Sequence, residues 1–152
     1  MTIRNGIIAG LVAGLVFLLV EMMLVPTVGG GALWGPPRMM AAIGMGPDVL
    51  PPPATFDAAI VMVGMIIHFV LSAVLGALFA LAMRSLDLSR NMVMLVGMLF
   101  GLAIYFVNFY GFTAMFPWFA MARGAITAFA HLVFGGVLGW CLVRNKSAGV
   151  ST

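Results

Sequence analysis

The sequence predicts an all-α membrane protein of four transmembrane helices, built as two parallel helical-hairpin repeats with an external lid loop. Three observations carry this. Four apolar stretches, at 6–26, 58–82, 92–113 and 119–143, are long enough to cross a hydrocarbon layer about 30 Å thick. Of 152 residues, 64% are hydrophobic and 7% charged, against about a quarter charged in a soluble domain. So little charge cannot cover a water-soluble globule. Lastly, HFVLSAVLG at 68–76 returns as HLVFGGVLG at 131–139, identical at five of nine positions.

The first span follows Arg4 and runs to Glu21 without a small-x-small cleavage pattern, so it reads as a retained helix. Gly6, Gly10 and Gly14, at spacing four, mark its contact face, because membrane helices associate through close packing. The external loop, 27–57, is the longest connection. Gly29 to Gly31 give a flexible exit, and Trp34 suits the membrane interface. Pro36 and Pro37 start a short helix toward Met45 that lies in the interface or folds back over the bundle. Pro51 to Pro53 are stiff and extended, and Thr55 or Asp57 caps the second span. The loop reads as a lid over the external end.

The second span carries Gly64, His68, Ser72, Gly76 and Ala80 on one stripe, and 85–90 is a polar turn. The third carries Gly97 and Gly101, then Tyr105 and Asn108 on one face. Pro117, within FPWF at 116–119, ends it. The fourth carries Thr127, His131, Gly135 and Gly139, and the polar tail 145–152 is expected to be disordered. The lone Cys141 excludes an internal disulfide.

GIIAGL at 6–11 aligns with GMLFGL at 97–102, an offset of 91 (Gly6 to Gly97) against 63 for the histidine segments (His68 to His131). The difference is the inserted external loop. The repeat is parallel, with its pseudo-axis along the membrane normal, in a single four-helix domain over 1–152. Arg4, Arg84, Arg90, Arg144 and Lys146 fall on one side, Arg38 and Arg123 on the other. That bias favours both termini in the cytoplasm. A net charge of +3 is too sparse for nucleic acid. The expected partners are the bilayer and either a larger membrane complex or further copies of the chain.

The two histidines sit near mid-span, about 15–20 Å deep at roughly 1.5 Å per residue. An ionisable ring at that depth is a functional-site hypothesis by default. In the first reading His68 and His131 are axial ligands of a haem b or bind a metal ion, making a redox or metal-binding module within a larger complex. Arg38 and Arg123 then pair with the haem propionates, since guanidinium matches carboxylate geometry. In the second, a polar path through Glu21, Tyr105 and Asn108 leads to the histidines of a small oligomeric channel or transporter-like protein. In the third, the rings are structural, each hydrogen-bonded to a hydroxyl or backbone carbonyl across a tight helix contact. Glu21 and Arg123 lie at similar depth and are expected to pair. Methionine, 14 residues, offers thioethers to Cu(I) and is equally an ordinary gap-filler. No phosphate-binding loop, nucleophile elbow, HExxH pair or carboxylate dyad is present, so a non-enzymatic role is expected.

Through VLPPPATFD at 49–57, VNFYGFTAMFPWFAMAR at 107–123 and AHLVFG at 130–135, the chain resembles a group of small bacterial four-helix membrane proteins. Automated labels sometimes call them sodium:proline symporters. The resemblance covers most of the chain. It implies a four-span fold in a bacterial inner (plasma) membrane and carries over no functional residue. Symporters of that class look like much longer chains, with unwound helices around a midplane site.

Overall fold

The computed structural model describes residues 1–52 and 55–148, which contain helices and no strand. Five α-helices are formed: α1 (Ile3–Thr27), α2 (Gly35–Met45), α3 (Ala58–Met83), α4 (Arg90–Phe106) and α5 (Ala125–Ala148). A π-helical turn at Val107–Gly111 continues α4, and two 3₁₀ segments, Phe112–Ala114 and Pro117–Ala122, lead to α5. Four segments are long and apolar enough to cross a membrane: α1, α3, Arg90–Ala114 and Ala125–Arg144. Their outward faces are apolar as well, with Leu19, Met62, Ile66 and Leu99 each more than half exposed. Apolar patches of that extent mark surfaces made for a non-aqueous neighbour. Both features are consistent with a membrane protein.

Local chemistry sets the helix ends. The Thr2 hydroxyl accepts from the Asn5 N–H at 3.2 Å. Asp57 accepts from the Ala59 and Ile60 N–H groups at 3.0 Å each, and Ser89 accepts from Met92 at 3.4 Å. These caps satisfy N–H groups that a first turn leaves without partners. Pro36 and Pro37 open α2, where their missing N–H groups cost nothing. The fourth span begins at Ala125, six residues later than the apolar pattern places it. Pro117 starts a 3₁₀ coil instead, and Arg123 is extended (ψ 125°). At its other end α5 stays helical through Ala148, where a disordered tail from 145 is expected. Residues 149–152, and Pro53 of the proline run, lie outside the described residues.

The helices pack in the order α3, α1, α5, α4, with α1 and α5 central. Half of the α5 window (50%) is buried, against 17% of that of α3. Helices α3 and α4 are consecutive in the chain yet do not pack along their lengths. They meet at Phe79 and Phe100, whose ring centroids are 5.1 Å apart. Glycine makes the two tight pairs possible. A Cβ on Gly76 would stand 2.7 Å from Gly10 Cα, and one on Gly135 would stand 2.7 Å from the Gly97 carbonyl carbon. Backbone touches backbone at both places, as small-residue membrane contacts require.

These contacts also define a register. Gly10 faces Ser72 and Gly76, and Gly14 faces His68 and Ser72. On the other side Gly97 faces Gly135 and Gly139, and Gly101 faces His131 and Gly135. With α3 and α5 matched at 63, α1 and α4 therefore correspond at an offset of 87 (Gly10 to Gly97), not 91. Glycines at spacing four can be aligned one turn apart on identity alone, and the contact partners decide between the two. In this register Glu21 corresponds to Asn108 and Phe17 to Ile104.

Helix α2 lies across the end of the bundle remote from the termini. The Pro37 carbonyl sits against Gly64 of α3. Met39 and Ile43 pack on the buried cluster of Tyr105, Phe109 and Phe119. Thus α2 bridges the two helices that leave a gap between them.

Candidate functional site

That gap is a cavity of about 340 Å³. Helix α1 contributes Phe17 and Glu21, and α5 contributes Thr127, His131 and Phe134. His68, Ser72 and Leu75 of α3 form one wall, and Ile104, Asn108 and Phe109 the opposite one. Met39, Met40 and Ile43 of α2 close the end remote from the termini. Toward the terminal end the last lining residues are Leu75 and Ile104, one turn short of the Phe79–Phe100 contact. Between α3 and the Phe112 turn after α4 the space is open laterally, where Leu71 and Phe112 line the cavity and are also exposed.

The histidines reach this space from different elements. His68 is buried, and its Nε2 lies 2.9 Å from the Gly14 carbonyl of α1. A carbonyl oxygen only accepts, so Nε2 carries the proton and Nδ1 the lone pair. The bond exists because Gly14 lets α1 approach so closely: a Cβ there would be 2.7 Å from Ser72 Cβ. Ser72 donates to the His68 carbonyl at 2.8 Å. His131 Nδ1 donates to the Thr127 carbonyl at 2.8 Å, one turn back on its own helix. Its Nε2 is therefore the lone-pair nitrogen. The Phe17 ring contacts both imidazoles, with centroids 5.5 Å from His68 and 4.8 Å from His131.

Glu21 is the carboxylate of the site. It is 6% exposed, its Oε1 has no hydrogen-bond partner, and the Thr127 hydroxyl hydrogen-bonds the carboxyl group. A buried oxygen without a partner is costly, and such groups concentrate where something else is meant to bind. Thr127 therefore connects Glu21, through its hydroxyl, with His131, through its carbonyl. Asn108, in the π-helical turn, faces the same cavity. Single π-turns within α-helices recur at functional sites.

The expected Glu21–Arg123 pair is not formed. Arg123 Nε donates to the Phe109 carbonyl at 2.6 Å, Nη2 to Thr113 Oγ1 at 3.4 Å, and the guanidinium lies 4.4 Å from the Tyr110 ring centroid. The π-turn alters the carbonyl pairing at the end of α4, and Arg123 takes up Phe109. Arg38, also buried, donates from Nε to the Thr55 carbonyl at 3.0 Å and from Nη1 to the Val49 carbonyl at 2.9 Å. Tyr105 supports the site from behind. Its hydroxyl accepts from the Gly124 N–H at 3.2 Å, and its ring centroid is 5.8 Å from that of His131. Tyr105→Phe is expected to lower stability by about 1 kcal/mol. In detergent that is a fall in thermal midpoint of about 2–4 °C, and an unchanged midpoint would show that the bond contributes nothing.

No protein-family model matches the chain, and no curated protein or solved structure matches it at a significant level. Among the described residues no three His, Cys, Asp or Glu side chains come together as a metal-binding group. Sequence reasoning singled out His68, His131, Glu21 and Asn108, and all four line the cavity. It took Thr127 and Ser72 only as helix-contact positions and passed over Phe17. A signal for Thr127 was present in its spacing of four from His131 on one small-residue face.

Proposed function

We propose that the protein is a membrane-embedded binding module whose site is the cavity shared by His68 and His131, serving a redox or metal cofactor. One observation carries the reading. Each imidazole donates its N–H to a backbone carbonyl and keeps one lone-pair nitrogen. Metal-ligating histidines are oriented in this way, with the second nitrogen tied to a carbonyl or carboxylate. His131 Nε2 is the first ligand in this reading and His68 Nδ1 the second. Phe17 must turn aside for both to reach one metal ion, and a haem b, larger than the single ring that about 340 Å³ suits, would also need the α2 lid to shift. Arg38 and Arg123 would serve haem propionates only by exchanging their carbonyl partners, so a ligand held first through His131 is the simpler arrangement.

The two hairpins are read as a duplicated unit, since glycine contacts and histidine positions correspond across them. The α2 segment is read as its lid. The basic residues at the terminal end support a reading with both termini in the cytoplasm and the chain in a bacterial inner membrane. The channel-like alternative gains from Glu21, Asn108 and both histidines sharing one space. It loses because the cavity stops at Leu75 and Ile104. Binding fits this closed shape better than conduction.

The test is an oxidised-minus-reduced visible spectrum with metal analysis on protein purified in mild detergent, beside His68→Ala and His131→Ala. A bound haem or metal, lost in His131→Ala and weakened in His68→Ala, is expected. Colourless, metal-free, folded protein from haem- and metal-replete cells would refute the cofactor reading.

A further inference from the structure

We propose that this cavity receives the ring of a membrane-soluble hydroquinone, which enters from the lipid side between α3 and α4. The inference rests on the cavity being a binding site, and it does not require a metal or haem.

Access selects the class of occupant. Helix α2 closes the end remote from the termini, through Pro37 on Gly64 and through Met39 and Ile43 on the aromatic cluster. The Phe79–Phe100 contact closes off the other end. The lateral gap at Leu71 and Phe112 opens onto the same apolar surface that carries the exposed side chains of α3 and α4. A molecule that arrives there is dissolved in lipid.

Size and shape narrow the class. About 340 Å³ is at the small end of ligand cavities, roughly 300–1,000 Å³. It suits one ring and the start of a chain, and the two chains of a phospholipid do not fit. The walls are largely aromatic: Phe17, Phe109, Phe119 and Phe134 all line the space. Aromatic faces and edges favour a flat ring over an alkyl chain of equal area.

The polar groups specify hydroxyls. His131 Nε2 is an acceptor because Nδ1–H is engaged by Thr127. Glu21 Oε1 is buried without a partner. A purely apolar guest would leave both lone pairs unmet, and a ligand with neither O–H nor N–H groups cannot donate to the imidazole. A hydroquinone carries two O–H donors on one flat ring, and Asn108 lies across the same space for either oxygen. Its chain leaves between α3 and α4.

The test uses the full-length protein in phosphatidylcholine nanodiscs. The probe is a decyl-substituted hydroquinone kept reduced, supplied from empty nanodiscs, and the bound amount per protein is measured after separation. The comparison ligands are the same ring as its dimethyl ether and a diacylglycerol. Saturable binding of the hydroquinone is expected, with the ether and the diacylglycerol at least about tenfold weaker, because a site built for a hydroxyl rejects analogues that lack one or misplace it. Glu21→Leu and His131→Leu should each weaken binding by about tenfold or more. Glu21→Leu should still fold, since it removes a buried oxygen without a partner at the cost of the one hydrogen bond with Thr127. Glu21→Gln, which keeps the shape, should fall between. Equal retention of hydroquinone and ether, equal retention of diacylglycerol, or unchanged binding by folded Glu21→Leu each overturns the inference. A haem or metal lost in His131→Ala with no hydroquinone binding sinks it and leaves the proposed cofactor role standing. Hydroquinone binding by colourless, metal-free protein supports it and removes that role.

Discussion

Gly135→Val is expected to prevent α5 from docking on α4 and to abolish the folded bundle. A Cβ at this position meets the Gly97 carbonyl carbon at 2.7 Å and the Gly101 nitrogen at 3.0 Å. Both are backbone atoms, so no rotamer change relieves the clash and the helices must separate. In lipid no hydrophobic force between helices offsets lost contact. Overpacking a core typically costs 1–3 kcal/mol, and two backbone segments in the way put this site at or above that range. Helix α5 also packs on α1, so the disturbance reaches both pairs. Total stabilities of only about 5–15 kcal/mol make such a loss decisive. Gly136→Ala is the control. The nearest atom to its new methyl is Met98 Cγ at 3.4 Å, on a flexible side chain. Thermal denaturation in mild detergent should show a near-wild-type midpoint for Gly136→Ala and no cooperative transition for Gly135→Val. A wild-type midpoint for Gly135→Val would contradict the packing described above.

The same glycines show what the sequence made legible. Four spans could be read because length and apolarity alone determine them. The ends of three follow within a few residues, helped by readable signals such as Asp57 as a cap and Pro36 at the start of α2. The start of α5 was not readable, because 119–124 is apolar enough to pass for helix while Pro117 and the extended Arg123 shape it otherwise. The π-turn at Val107–Gly111 has no composition signal either, yet it presents Asn108 to the cavity and the Phe109 carbonyl to Arg123. The histidines could be placed on small-residue faces. Their partners could not be named, because a backbone carbonyl such as that of Gly14 leaves no trace in side-chain pattern. Phe17, which touches both imidazoles, is one of 12 phenylalanines in an apolar chain. The offset of 87 explains the polar site better than 91 does. It matches Glu21 with Asn108 as His68 is matched with His131, whereas Ser72 and Thr127 of the cavity correspond to Gly135 and Gly64.

Arg38→Met is expected to release the α2 end of the molecule while leaving the helix pairs intact. Arg38 is 6% exposed, and its two hydrogen bonds hold the carbonyls of Val49 and Thr55. Methionine keeps the apolar stem and removes both donors. Hydrogen bonds from a charged donor contribute about 1.5–3 kcal/mol each, so the local loss is about 3 kcal/mol or more. It is local because α2 keeps its seat on Gly64 and its contacts through Met39 and Ile43. Hydrogen exchange should therefore quicken by about a hundredfold at Leu50, whose N–H is bonded to the Pro47 carbonyl at 3.0 Å, and less within α2, following the local opening free energy. Amides of α4 and α5 should keep their wild-type protection. Uniform acceleration in every helix would mean that Arg38 supports the whole bundle, and no acceleration at Leu50 would mean that its bonds hold nothing in place. The consequence for the site follows from position. Arg38 adjoins Met39 and Met40, which close the cavity, so loosening α2 admits water to Glu21 and His131. Any ligand that depends on those two acceptors in a dry site then meets a competing donor. Arg38→Met should shorten its residence without touching a single contact atom.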